Sequence, residues 1–206
     1  QNNRIWHNTV LMPADGRWAI IIADAACVNN QLYNNIFYSE HSYRGSIDLP
    51  ASSVSGFESD YNVVTDRFTT DDGDTILTLA AWQALGYDTH SFIATPSQLF
   101  AAAANADYPL REGSPAIDAG RPLPEVAADL EGTPRPSGSG YDIGAYEFHS
   151  AAAGEEVYLP TVVATGEAVL PPAAGHVLYR LSNDQRLYRL AIPASGAPGA
   201  PEDLTL

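Results

Sequence analysis

Trp6-His-Asn-Thr-Val10, Tyr33-Asn-Asn-Ile-Phe37 and Asp60-Tyr-Asn-Val-Val64 are three versions of one phrase, and their asparagines Asn8, Asn35 and Asn62 stand 27 residues apart. A fixed period in the twenties, with an apolar residue two places after each Asn, predicts a solenoid of stacked β-coils. The register extends outward from the phrase. Ile5 aligns with Leu32, Trp6 with Tyr33, and Val10 with Phe37 and Val64; further on, Ile20 aligns with Ile47, Ile22 with Leu49 and Cys27 with Val54. Equivalent residues of a parallel stack lie about 4.8 Å apart. The column Asn8, Asn35, Asn62 is therefore expected to be a structural ladder, amide bonded to amide along the stack, at turns that would otherwise leave polar groups unpaired.

Past the repeat come Thr78-Leu-Ala-Ala-Trp-Gln-Ala-Leu-Gly86, Asp88-Thr-His-Ser91, Ser114-Pro-Ala-Ile-Asp-Ala-Gly120, Asp129-Leu-Glu-Gly-Thr-Pro-Arg135 and Asp142-Ile-Gly-Ala-Tyr-Glu147, in that order. With the coils, this series resembles the C-terminal segment of bacterial extracellular proteins of the pectate-lyase-like superfamily, over roughly residues 1–148. The resemblance implies an all-β, right-handed parallel β-helix, extracellular or cell-surface placement, and a parent protein that binds or degrades polysaccharide. That superfamily includes lyases, hydrolases and non-catalytic surface proteins, so it leaves the chemistry open.

Residues 1–65 read as two coils and a partial third, with the repeats ending near Val64, and 66–76 as an acidic loop. Leu77–Leu85 has helical composition and stops at Gly86. Thr95 and Pro96 read as the N-cap and first position of a second short helix running to Ala104. Residues 105–148, rich in Gly and Pro, read as an irregular wrap closing the C-terminal end of the solenoid, since a bare last coil would offer an open strand edge and an apolar core. The domain boundaries follow: 1–150 for coils and cap, 151–175 for an Ala/Gly/Pro-rich linker with a short strand at 157–163, and 176–206 for part of a second β module. In that module Val177–Leu181 and Leu187–Ile192 read as a hairpin, similar to the edge of a β-propeller blade.

The chain of 206 residues has a formal charge of −15, with ten basic residues, all Arg. This balance argues against nucleic acid, which needs a basic footprint, and against adsorption to anionic membranes. The single Cys excludes an internal disulfide, and its alignment places Cys27 in the core. No signal peptide and no apolar run of membrane-spanning length is visible. The opening in mid-repeat reads as part of a longer protein whose upstream segment carries the export signal.

Trp6, Tyr33 and Tyr43 are candidates to stack on sugar rings, with Arg44 as their basic neighbour and a polysaccharide or cell-surface glycan as partner. A lyase needs a base with a lowered pKa and a cation for the uronate. Arg4 and His7 are the nearest choices, yet Arg4 aligns with Gln31 and His7 with Asn34, so neither belongs to a basic column. Among the carboxylates Asp24, Asp48, Glu58 and Asp60, the period brings no two together as a glycosidase would require. Asp66, Asp71, Asp72 and Asp74 around Gly73 offer hard oxygens for calcium, outside the EF-hand spacing. Asp88, His90 and Ser91 have the composition of a triad but lie too close in sequence to converge as one; they read as local bonds seating the cap. Arg135 is expected to pair with Asp142 or Glu147. Catalytic residues stay unassigned. The function expected is a structural and carbohydrate-binding closing segment. Its parent is either a lyase or hydrolase with upstream catalytic residues or a non-catalytic adhesion protein.

Overall fold

The computed structural model describes residues 2–24, 26–103 and 107–149, and three strands beyond them, at 175–180, 187–192 and 202–203. In chain order the first unit, Gln1–His149, holds β1 (Arg4–Trp6), β2 (Thr9–Met12), β3 (Ile20–Ile21), β4 (Gln31–Tyr33), β5 (Ile36–Ser39), β6 (Ile47–Asp48), β7 (Glu58–Asp60), β8 (Val63–Val64), β9 (Phe68–Thr69), α1 (Leu79–Ala84), β10 (Phe92–Ile93), α2 (Pro96–Leu99), β11 (Phe100–Ala102) and β12 (Asp107–Leu110). The coil strands stack in parallel as a first sheet β1-β4-β7, a second sheet β2-β5-β8-β10 and a third sheet β3-β6-β9. This is a mostly-β solenoid of about three turns.

The register is the one the period predicts: Ile5 pairs with Leu32, Val10 with Phe37 and Ile20 with Ile47. The corners explain which residues the period keeps. His7, Asn34 and Tyr61, 27 residues apart, have φ of 54°, 56° and 55°, and Asn2, Asn29 and Gly56 have φ of 57°, 56° and 64°. Each coil thus bends twice through the left-handed region, where Asn and Gly are tolerated best. At Gly56 a Cβ would also lie 2.0 Å from Asn29 Oδ1 of the coil before it. The amide ladder sits beside these bends: Asn62 Oδ1 accepts Asn35 N and Asn35 Nδ2 at 2.8 and 3.0 Å. A second ladder joins Asn3 to Asn30, whose Oδ1 accepts Asn3 Nδ2 at 2.8 Å.

Several expectations are corrected. The coils do not stop near Val64, and residues 66–76 are not wholly loop: Phe68 pairs with Ile47 in β9, and Phe92 pairs with Val63 in β10. Phe68 follows its partner Ile47 by fewer than 27 residues and Phe92 follows Val63 by more, so the repeat period predicts neither strand. Phe68, fully buried, was the apolar marker of β9. The second proposed helix ends at Leu99. Thr95 and Gln98 form a capping box around it, and the chain then turns into β11, antiparallel to β12.

Two apolar clusters hold the unit together. The inner one fills the coils with Leu32, Phe37, Ile47, Leu49, Val64 and Phe68, each worth about 1.5–3 kcal/mol on burial. Trp82 of α1 covers it, stacked on Phe68 at 4.9 Å and 11°. The outer cluster sits on the other side of the second sheet, where Ile36 and Val63 meet Leu99, Phe100, Leu110, Ala116 and Ile143. The wrap expected to close the C-terminal end therefore does something else. α1 covers the last coil, while the segment after it runs back along the flank to the first coil. There Gly144 N donates to Asn34 O at 2.8 Å and Ala145 N to Thr9 Oγ1 at 3.0 Å. Arg135 bonds Glu147 at 2.6 Å, both buried, as the expected ion pair. Cys27 is partly buried against the inner cluster.

The second unit, Ser150–Leu206, contributes β13 (Gly175–Arg180) and β14 (Leu187–Ile192), antiparallel as the hairpin predicts, with β15 (Glu202–Asp203) added against β14. The linker expected at 151–175, with its strand at 157–163, lies outside the described residues as far as 174, and its last residue, Gly175, opens β13.

Candidate functional site

Alternation along the first sheet selects its outer face. Leu32 and Ser59 point inward and are buried, so Arg4, Gln31 and Glu58 share the outer face with Trp6, Tyr33 and Asp60. The contacts agree. Arg4 lies over the Trp6 ring at 5.0 Å. Gln31 Nε2 donates to Glu58 Oε2 at 3.4 Å, and the Tyr33 hydroxyl donates to the same oxygen. Arg121, on the returning flank segment, lies over the Tyr33 ring at 4.2 Å. Burial, and then the Glu58 carboxylate, push the Tyr33 phenol up to about 12. At the next level Asp60 Oδ2 meets His90 Nδ1 at 2.7 Å and Asp60 Oδ1 accepts His90 N at 2.7 Å. The His90 ring stacks on Tyr61 at 4.6 Å and 14°.

The four residues expected to bind sugar do not converge. Trp6 and Tyr33 are register partners on this face. Tyr33 is 6% exposed under Arg121, so its ring is closed to a ligand. Trp6 is half-buried, and its buried Nε1 meets no hydrogen-bond partner among the described residues. Tyr43 is 47% exposed, in the loop leading to the third sheet. Arg44 Nη1 donates to Gly16 O at 3.1 Å, which ties two coils together. Asn8, Asn35 and Asn62 form the predicted ladder.

The other candidates sort by burial. His7 is buried under the flank segment. Asn34 Nδ2 donates to its Nε2 at 3.0 Å, and its Nδ1 meets Asp142 O at 3.1 Å. An imidazole that accepts at one nitrogen and donates at the other is neutral. Burial, and then Arg135, hold its pKa down at about 4. Asp88 and Ser91 turn inward: Asp88 accepts from Ser59, Asn62, Trp82 and Ser91. His90, between them in sequence, turns outward to Asp60. Asp71 Oδ1 accepts from Thr69 Oγ1 at 2.7 Å and Thr75 N at 2.9 Å, within its own turn. No group of three or more His, Cys, Asp or Glu gathers closely enough for a metal among the described residues. No described helix is long and apolar enough to cross a membrane.

Three contacts of this face lie outside what the period shows. Arg121 lies far outside the repeat. His90 follows a turn whose length breaks the 27-residue step. Glu58 and Asp60 share a face because they are two apart on one strand, a spacing that column-by-column comparison passes over. Chemically, the face presents ring–cation pairs flanked by carboxylates. No protein-family model, curated protein or solved structure matches the chain.

Proposed function

We propose that this chain is the structural and carbohydrate-binding closing part of an extracellular, right-handed β-helix protein of the pectate-lyase-like kind, with polysaccharide lying along the outer face of the first sheet. The observation that carries this reading is the ridge on that face. Arg4 with Trp6, Arg121 with Tyr33, and His90 with Tyr61 set a ring and a basic group side by side at successive coil levels. Trp6 and Tyr61, which stay partly exposed, give flat apolar contact to a sugar, while Arg121, lying over the closed Tyr33 ring, and the other polar groups beside the rings bond its hydroxyls. Arg4 and Arg121 also offset the Glu58 and Asp60 carboxylates on this face, so a uronate meets less repulsion here than over the rest of an acidic chain.

The Asp60–His90 pair favours a second reading, catalysis. A carboxylate that orients an imidazole prepares it as a general base, and His90 is 59% exposed. A lyase or hydrolase would complete such a site with residues from coils upstream; a display or adhesion protein would leave the ridge as a binding surface.

Calorimetric titration with pectate, alginate and a neutral glycan tests the reading. Trp6→Ala and Arg121→Ala should each weaken binding at least tenfold, whereas Tyr43→Ala should bind as the wild type. The chain should release neither unsaturated nor reducing sugar ends. Absence of glycan binding, or binding indifferent to both ridge variants, would end the proposal.

A further inference from the structure

Asp48 is the second residue of β6, paired with Ile21 in the coil before and Thr69 in the coil after. Ile47 beside it points into the core, so Asp48 stands on the outer face of the third sheet. It is nevertheless only 2% exposed. The turn after β9 folds back here: Gly73 N donates to Thr69 Oγ1 at 3.0 Å, and a Cβ on Gly73 would lie 3.7 Å from Trp18 Cζ2. Asp48 Oδ1 is buried and meets no hydrogen-bond donor among the described residues. A buried carboxylate needs a proton, a counter-ion or a donor.

The surroundings narrow that choice. Burial raises the Asp48 pKa, and the charges of Asp72 and Asp71 on the turn raise it further; Arg17 acts the other way. Arg17 is exposed, and the ion pairs among the described residues are His90–Asp60 and Arg135–Glu147. Asp48 and Asp72 come from different coils and both present hard oxygen. Two carboxylates completed by carbonyl and water oxygens make a hard-oxygen set of the kind that calcium, with its flexible coordination, accepts.

We propose that Asp48, with Asp72 on the turn above it, holds a hard divalent cation of the calcium type against the outer face of the third sheet. The ion would neutralise the orphan carboxylate and fasten the turn Asp71–Asp74 to the coils. The site differs from an acidic loop acting alone, because its central ligand lies on a strand of the coil before it.

Terbium is the probe, since Trp18 packs against this turn and can sensitise its emission. Titration of the whole chain at neutral pH should give sensitised emission that calcium displaces, with a calcium-dependent rise in Tm. Asp48→Asn and Asp72→Asn should each weaken terbium binding at least tenfold. Trp18→Phe should lose emission but keep the calcium-dependent rise. Should Asp48→Asn fail to fold, Asp72→Asn decides, because Asp72 is exposed and Asn suits its φ of 59°. Emission that calcium does not displace, or that both Asn variants retain, overturns the site. So does a wild type indifferent to calcium but stabilised by acid, which would mean that a proton serves Asp48. A wild type indifferent to calcium and destabilised by Arg17→Gln would make Arg17 the counter-ion and overturn it equally.

Discussion

Asn35 Oδ1 accepts both the backbone N–H of Asn8, at 3.0 Å, and its side-chain amide, at 3.1 Å. One carbonyl oxygen thus serves two donors of the preceding coil, while Asn35 Nδ2 returns a bond to Ile5 O at 2.8 Å. Asn35 itself is fully buried. Asn35→Ala leaves those groups unpaired and should cost about 2–4 kcal/mol. Asn35→Asp keeps the acceptor but loses the donor and buries a charge, so it should be at least as damaging. Urea unfolding of the three proteins checks the order.

His7 makes stability depend on pH. Its folded pKa of about 4 lies below the ordinary 6.5, so the unfolded chain binds the proton more readily between those values. The stability it contributes is present above pH 6.5 and is lost as pH falls toward 4. Asp142 works in the opposite sense. Burial first holds its carboxyl up at about 6, so folding gains as pH falls from 6 toward 3.8. The wild type should therefore show a shallow pH dependence. His7→Asn removes one arm and suits the left-handed bend. Between pH 7 and 5 the wild type should lose about 2 kcal/mol relative to this variant; parallel curves would refute the assignment.

Asp88 accepts Ser59 Oγ at 2.7 Å, Asn62 Nδ2 at 2.8 Å, Trp82 Nε1 at 2.8 Å and Ser91 Oγ at 2.6 Å. Asp88→Asn turns an acceptor into a donor facing donors. It should cost about 3 kcal/mol and change the near-UV circular dichroism of Trp82. A variant with wild-type spectrum and Tm would show that the bonds around Asp88 rearrange freely.

Gly144 has φ of 105°, and a Cβ there would lie 2.6 Å from Ile36 Cδ1 and 3.0 Å from Thr9 Oγ1. Gly144→Ala should lift the returning segment off the second sheet, at about 1–3 kcal/mol. Hydrogen exchange should then speed up at Gly144 and Ala145 while the inner-coil amides of Phe37 and Val64 keep their protection.

Most of the coil architecture is legible in the chain, because a stacked column repeats its residue type and a repeat can be read without knowing its direction. The bends were in view as well: Asn2, Asn29 and Gly56 carry the same period as the amide column, for a reason visible in their backbone angles. What a period cannot show is a turn of different length, so β9 and β10 were hidden. Nor can it show what covers an outer face. Tyr33 and Trp6 are equivalent in the repeat, yet Arg121 closes one ring and not the other. Asp88, His90 and Ser91 are neighbours in sequence, and the chain sends His90 outward and its flanking residues inward.

The returning flank segment has a consequence for how the protein comes into being. His7 and Asp142 touch although 135 positions separate them. At the roughly 5–20 residues per second of synthesis, the first coil leaves the ribosome on the order of ten seconds before its cover exists. During that interval the outer side of the second sheet, with Ile36 and Val63, is bare apolar surface. A nascent chain of this kind invites chaperone binding, and closing so long a loop makes the last step of folding slow.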